Sequence, residues 1–334
     1  MYGGGTNFSA STTLGPTTQV VVGAPAGSFS KTLLSFGSQR VSVSSAPKTV
    51  TLTSAGTATL SISGFSVTGD FSQTNNCGNS LPPGQTCTVN VFFTPIARGT
   101  RNGTLTLNSN ASGPAPRVAL SGTGIGPLAS VSPGSLSFAA QAVNTASPSK
   151  SLVLSNTGDA TLHIAAISAN GDFTQTNTCG ASLGAGAKCN VYVIFKPSVY
   201  GSRTGALAIA DDAVGGTTQT VTLSGTGLDY ALSASPSSVT VASGKSAAYT
   251  VTAQALGGTF ASPISLSCSG QPAASSCSFS PASVKPGSTS ATSQLTISTT
   301  VRHLQSGTPA GTYTITIKGT SSTQHSTTVM LTVN

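Results

Sequence analysis

Asp70-Phe71-Ser72-Gln73-Thr74-Asn75-Asn76-Cys77-Gly78 returns as Asp172-Phe173-Thr174-Gln175-Thr176-Asn177-Thr178-Cys179-Gly180, 102 residues further along the chain. The same offset carries Leu34-Ser35-Phe36 onto Leu136-Ser137-Phe138. It also carries Cys87, Pro95, Gly99 and Arg101 onto Cys189, Pro197, Gly201 and Arg203. Between 70–101 and 172–203, 17 of 32 positions are identical, and both copies close on Ser-Gly-Thr-Gly, at 121–124 and 224–227. A period of this length, close to the size of an ordinary domain, marks a tandem array of whole domains rather than a solenoid of short units.

Within each copy the apolar residues recur with period two. Val50-Thr51-Leu52-Thr53, Thr59-Leu60-Ser61-Ile62, Thr88-Val89-Asn90-Val91-Phe92-Phe93, Thr104-Leu105-Thr106-Leu107 and Val118-Ala119-Leu120 are short alternating runs. Turns rich in Gly, Pro, Asn and Ser separate them, a pattern that predicts an antiparallel sandwich. Nothing sustains a 3.6-residue period, so helix is expected to be minimal. Residues 229–334 have a different sequence but the same grammar. Six strands are expected there, within 237–241, 248–251, 264–268, 294–297, 313–317 and 328–333. The expected fold class is all-β: tandem immunoglobulin-like β-sandwiches forming an elongated rod. Its domains are 26–126, 127–228 and 229–334, joined by short linkers around 124–130 and 226–230.

Residues 1–25 form an N-terminal strand segment that reads as a partial repeat. Thr17-Thr18-Gln19-Val20-Val21-Val22 resembles Thr217-Thr218-Gln219-Thr220-Val221-Thr222, the closing strand of the second copy. A terminal strand pair of this kind can complete a sheet in another molecule, with backbone bonds giving affinity and alternate side chains giving register. Thr17, Thr18, Gln19, Val20, Val21 and Val22 are therefore the expected assembly strand. A chain cut from a longer array would show the same remnant.

Composition excludes several function classes. Only 6% of the 334 residues are charged, with 14 Lys plus Arg against six acids, all Asp, and no Trp. The net charge of +8 is dispersed along the chain. A nucleic-acid binder concentrates such charge in a patch with stacking aromatics, so no nucleic-acid partner is expected. No apolar run reaches the length of a membrane span, and the first residues lack the basic and apolar regions of a signal peptide.

Cysteine is the strongest chemical signal. The six fall as one close pair per domain: Cys77 with Cys87, Cys179 with Cys189, and Cys268 with Cys277. Even number and repeated local pairing predict three intradomain disulfides made in an oxidising compartment. Zinc needs four ligands and no His or further Cys accompanies a pair, so no metal is expected. His163, between Leu162 and Ile164 on an alternating strand, should face solvent. No nucleophile-elbow motif is present, and Ser28-Phe29-Ser30-Lys31 matches Ser-x-x-Lys without its companion motifs. Asp211-Asp212 is expected to be a solvated hairpin tip rather than the start of a calcium site, which wants six to eight oxygens. No catalytic residue and no cofactor are expected.

The two copies, with Leu-Ser-Phe near the start, Asp-Phe-Ser/Thr-Gln-Thr-Asn, two cysteines and the Ser-Gly-Thr-Gly close, resemble bacterial choice-of-anchor D domains of the wider abnormal-spindle/hydin-type immunoglobulin-like group. Ser265-Leu266-Ser267-Cys268-Ser269-Gly270, followed by Cys277-Ser278-Phe279-Ser280-Pro281, resembles the Ig-like modules that end such secreted proteins. The resemblance implies an exported, bacterial, surface-exposed or extracellular, non-catalytic protein. The expected function is a subunit of a cell-surface filament or adhesive stalk that self-associates as a homopolymer through its terminal strands. Two other readings stand beside it. One is a secreted binding or spacer module for glycans or other cell-surface proteins, and the other is a cytoskeletal or ciliary role, which the paired cysteines oppose.

Overall fold

The computed structural model describes residues 22–303 and 306–334, and every described element is a strand or a connection between strands. The expected assembly residues Thr17, Thr18, Gln19, Val20 and Val21 lie outside the described residues; Val22 lies within them. The chain forms two compact units that divide between Ile125 and Gly126.

The first unit is a two-sheet sandwich. Its strands are β1 (Gly27–Phe29), β2 (Leu33–Arg40), β3 (Lys48–Ser54), β4 (Leu60–Val67), β5 (Phe71–Asn75), β6 (Ser80–Leu81), β7 (Thr86–Phe93), β8 (Gly99–Ser109) and β9 (Arg117–Ile125). One sheet runs β1-β3-β7-β5 and the other β2-β9-β8-β4-β6. Alternation decides what lies between them. On β7, Cys87, Val89, Val91 and Phe93 are buried, while Thr88, Asn90 and Phe92 between them are only partly so. Burying a Leu, Val or Phe side chain contributes about 1.5–3 kcal/mol, so such a strand has one favourable face and one register. Phe36, Phe71 and Phe93 meet in an aromatic cluster with ring centroids 4.8–5.9 Å apart. Gly122 on β9 lies directly against the Phe93 ring, where a Cβ would clash.

The second unit begins with the same construction. It uses β10 (Ala129–Ser132), β11 (Ser135–Ser137), β12 (Gln141–Ala142), β13 (Lys150–Asn156), β14 (Leu162–Ala169), β15 (Phe173–Asn177), β16 (Ser182–Leu183), β17 (Lys188–Phe195) and β18 (Gly201–Asp211). Phe138, Phe173 and Phe195 repeat the aromatic cluster at 5.0–5.9 Å, and Gly225 faces Phe195 as Gly122 faces Phe93.

The closing strand β19 (Thr218–Ser235) behaves differently from the expected linker at 226–230. It pairs with β18 over residues 218–227 and continues, without a break, to pair with β21 (Ser246–Leu256) over 229–235. Gly225 and Gly227, from the Ser-Gly-Thr-Gly that closes the copy, are inside this strand because close neighbours leave no room for side chains. Gly225 meets the Phe195 ring and Gly227 meets the Val199 carbonyl and Pro197. One strand therefore serves two hydrophobic cores. The other strands around the last core are β20 (Ser238–Val241), β22 (Ile264–Ser269), β23 (Ser275–Ser280), β24 (Ser283–Val284), β25 (Ser290–Thr299), β26 (Gly311–Thr320) and β27 (Gln324–Val333). Its two largest buried side chains, Tyr230 and Tyr249, send their hydroxyls to the carbonyls of Gly319 and Met330 at 2.7 and 2.8 Å. Burial pushes both phenols above their usual range. The six strand regions expected in 229–334 coincide with strands, and β23, β24 and the continuation of β19 to Ser235 are additional.

Candidate functional site

Three disulfides brace the cores. Cys77–Cys87 and Cys179–Cys189 join Cα atoms 4.9 and 5.1 Å apart, and Cys268–Cys277 joins Cα atoms 6.6 Å apart, all within the normal span. The local sequence explains the first two. Asn75 Oδ1 accepts the amide of Cys77 and Asn177 Oδ1 accepts that of Cys179, each at 3.1 Å. These Asx turns bend the chain after β5 and β15 so that the cysteine meets its partner on β7 or β17.

The repeated Asp and Arg form the next device. Asp70 accepts Arg101 Nε at 2.6 Å and Nη2 at 3.1 Å, and takes the Ile96 amide at 3.2 Å. The Arg101 hydrogen bond holds the Asp70 carboxyl below its ordinary range. At Asp172, burial pushes the carboxyl up, but hydrogen bonds from Arg203 and Ser198 outweigh it and the net shift is down. Each pair fastens the turn before β5 or β15 to the start of β8 or β18, and its Asp also holds the loop after β7 or β17 through Ile96 or Ser198. Lys48 and Lys150 form a third repeated device that sequence reasoning missed. Each ammonium sits 5.7 Å from a ring centroid, over Phe36 and Phe138, while donating to the carbonyl of Ser35 or Ser137. The residues lie 102 apart, so the offset held the signal, but neither position falls in the stretch of densest identity.

Among the described residues the candidate chemical groups lie apart from one another. His163 faces solvent with its side chain 62% exposed, and its Nδ1 lies 2.8 Å from Asp212 Oδ2. His325 Nε2 lies 2.9 Å from Asp229 Oδ1, which also accepts Thr323 Oγ1 and the Tyr230 amide. Among the described residues the polar partner of each of these two imidazoles is a carboxylate, Asp212 or Asp229. Lys31 Nζ reaches the Thr49 carbonyl rather than Ser28. Among the described residues no three His, Cys or Asp side chains converge as a metal site. Asp211 departs from the solvated tip expected of it. It is 7% exposed at the end of β18, where its Oδ1 accepts the Ala213 amide; only Asp212 reaches the surface. The chain folds inward because Ala213 is itself a buried residue of the core.

The N-terminal connection is the remaining feature. Val22 is 83% exposed, and residues 24–26 then lie against the turn after β3. The Ala55 amide donates to Ala26 O and the Thr57 amide to Ala24 O, while Ala24 N donates to Thr57 Oγ1. A Cβ on Gly56 would strike Ala24 O, Ala26 N and the Pro25 carbonyl carbon. The segment 126–128 sits on its own sandwich in the same way. The Thr157 amide donates to Leu128 O, the Asp159 amide to Gly126 O, and Gly126 N donates to Asp159 Oδ1. Gly158 is closed against Gly126 O, Leu128 N and the Pro127 carbonyl carbon. Residues 126–128 are the continuation of a strand that has just closed a sandwich, β9.

A family model described as HYDIN/CFA65/VesB-like, Ig-like domain matches residues 25–123 and 139–226. No curated protein matches the chain. Among solved structures, a protein of unknown function from Porphyromonas gingivalis W83 aligns at 12% identity over 60% of this chain and 99% of its own, with a TM-score of 0.27. Extracellular cadherin domains 1–4 of protocadherin gamma B7 align at 12% identity over 92% and 76%, TM-score 0.32. The seventh PapD-like (ASH) domain of human CEP192 aligns at 15% over 36% and 98%, TM-score 0.25.

Proposed function

The chain belongs to the HYDIN/CFA65/VesB-like Ig-like domain family, and from that premise we propose that it is an exported, non-catalytic structural protein, a subunit of a bacterial cell-surface filament or adhesive stalk. Its modules in this reading are 26–126, 127–228 and 229–334. Its joints are strands: β19 links the last two modules, and the segment ending at Val22 links one molecule to the next by completing a sheet in a neighbouring copy. Backbone hydrogen bonds supply the affinity of such a joint, and Val20, Val21 and Val22 fill the neighbour's core groove.

The seat of residues 24–26 carries this reading. It has the form that the chain uses at 126–128, directly after a closing strand, and the residues before it resemble such a strand. Three disulfides support an oxidising, extracellular setting. A surface with few charges suits close packing of copies, because little charge must be desolvated on contact. Sedimentation of the intact chain beside a Val20→Lys/Val22→Lys variant tests the proposal. Concentration-dependent oligomers that the lysines abolish are expected. A monomer at all concentrations, or oligomers indifferent to the lysines, would overturn it.

A further inference from the structure

The two repeats are near-copies in their framework, yet they differ at one groove. In the first sandwich the open edge between β4 and β5 holds a cavity of about 280 Å³ lined by Ile62, Ser63, Gly64, Phe65, Gln73, Asn75, Gly78 and Asn79. Four of these recur at the 102-residue offset, as Ile164, Gln175, Asn177 and Gly180. The other four are Ser63, Gly64, Phe65 and Asn79, and their counterparts are Ala165, Ala166, Ile167 and Ala181. Every lining difference therefore replaces an alanine or, at Phe65, an isoleucine of the second repeat by a hydroxyl, an open backbone, an aromatic ring or a carboxamide in the first.

The backbone course is shared, and the repeats part at Gly64 and at one glutamine hydrogen bond. Both β4 and β14 carry a bulge here, between Ile62 and Gly64 and between Ile164 and Ala166. Gly64 takes φ 144°, a conformation open to glycine, and nothing lies within 4 Å of where its Cβ would be. Bulges of this kind re-aim side chains and recur beside binding sites. In the second repeat Gln175 Nε2 donates to Ile167 O at 2.8 Å and ties β15 across to β14. Among the described residues Gln73 has no such bond to Phe65. Its Oε1 accepts Asn75 Nδ2 at 3.0 Å, as Gln175 Oε1 accepts Asn177 Nδ2 in the second repeat, so the difference lies at the Nε2 end of the glutamine.

We infer that this groove is a binding site for a neutral, polyhydroxylated ligand, one sugar ring of a glycan. Carboxamides carry a donor and an acceptor side by side, which matches hydroxyl groups that are also both. Asn79 supplies one such carboxamide and Gln73 an amide donor, while Asn75, whose Oδ1 accepts the Cys77 amide and whose Nδ2 donates to Gln73 Oε1, fixes the position of Gln73. Ser63 adds a hydroxyl, and the half-buried Phe65 offers a ring for an apolar sugar face. No charged side chain lines the groove, so an anionic or cationic ligand would lack a counter-charge on entering it. The cavity lies just below the usual size range of small-molecule sites, which suits one ring of a longer chain rather than an enclosed oligomer. This site is independent of whether the terminal strand assembles copies.

The test titrates the intact protein with cello-, chito- and manno-oligosaccharides, reading the side-chain amide signals of Gln73, Asn75 and Asn79 by NMR. The variant Ser63→Ala/Phe65→Ile/Asn79→Ala gives the groove the residues that the second repeat already folds with. At least one of the three sugar series is expected to shift those amide signals, and the variant is expected to weaken that binding at least roughly tenfold. The converse substitution Ala165→Ser/Ala181→Asn monitors the second repeat. No shift with any series at millimolar sugar overturns the assignment, as does binding that the triple variant leaves intact. A groove that responds instead to an extended peptide, with backbone shifts along β5, would also overturn it.

Discussion

Asn156 offers the sharpest quantitative test of how these sandwiches are held. It is 1% exposed at the end of β13, and its carboxamide is fully used. Oδ1 accepts the amides of Gly158 at 3.0 Å and Leu128 at 3.3 Å, while Nδ2 is shared among the carbonyls of Ala160, Leu183 and Gly184 at 2.8–3.1 Å. One side chain thus ties the entry segment, the turn after β13 and strand β16 together. The first repeat has Ser54 at the matching position, equally buried, and its hydroxyl has no partner there. Asn156→Ser should therefore strand two or three backbone groups without gaining a bond of its own. Each stranded buried group costs about 1–3 kcal/mol, and some will find water at the turn, so a loss of about 2–4 kcal/mol is expected. Ser54→Asn is the converse and should stabilise the first sandwich by about 1 kcal/mol. Because a multi-domain chain does not unfold in one step, the assay is hydrogen exchange resolved by peptide, which reports each sandwich separately. Faster exchange in β13 and β16, with β3 and β7 unchanged, is the expected pattern. A loss below about 0.5 kcal/mol would refute the claim that this carboxamide organises the end of the sandwich.

Three further outcomes follow from the same contacts. Asp70 and Asp172 both have carboxyls held below their unfolded range, so their contribution is fully present above roughly pH 4 and is lost as pH falls through the lowered folded values. An Asp70→Asn/Asp172→Asn variant should show a shallower fall in stability below pH 4 in acid-unfolding curves. Removing one staple with Cys77→Ala/Cys87→Ala should cost the first sandwich about 3 kcal/mol on the chain-entropy account of a ten-residue loop, measurable by thermal denaturation without reductant. Gly225→Ala puts a methyl 2.6 Å from the Phe195 ring and should destabilise by about 1–3 kcal/mol. The same methyl at Gly134, which has open space, should be nearly silent in the same melts.

The 102-residue offset and the period-two alternation made the sandwiches readable, because register in a sheet with one buried face is dictated by which residues are apolar. The cysteine pairs were readable for a related reason: repetition at fixed spacing leaves few alternatives. The course of β19 was not, since Gly225-Thr226-Gly227 carries turn residues whose real cause is the Phe195 ring and the Val199 carbonyl pressing on them from other strands. Strand β23 was hidden because Ser275-Ser276-Cys277-Ser278-Phe279-Ser280 has only two apolar side chains to mark its inward face. Asp211 looked solvated beside Asp212, and only the inward turn of Ala213 buries it. The groove at Gln73 was invisible for another reason. Its lining comes from two strands in different sheets, and its meaning emerges only when the repeats are compared position by position.

Negative-stain electron microscopy of the intact protein, beside the same protein lacking residues 1–21, tests the assembly account most directly. End-to-end polymers of the intact chain and separate particles after the deletion are expected, with the three disulfides and the sandwich circular dichroism unchanged. Separate particles in both samples, or polymers that survive the deletion, would contradict it.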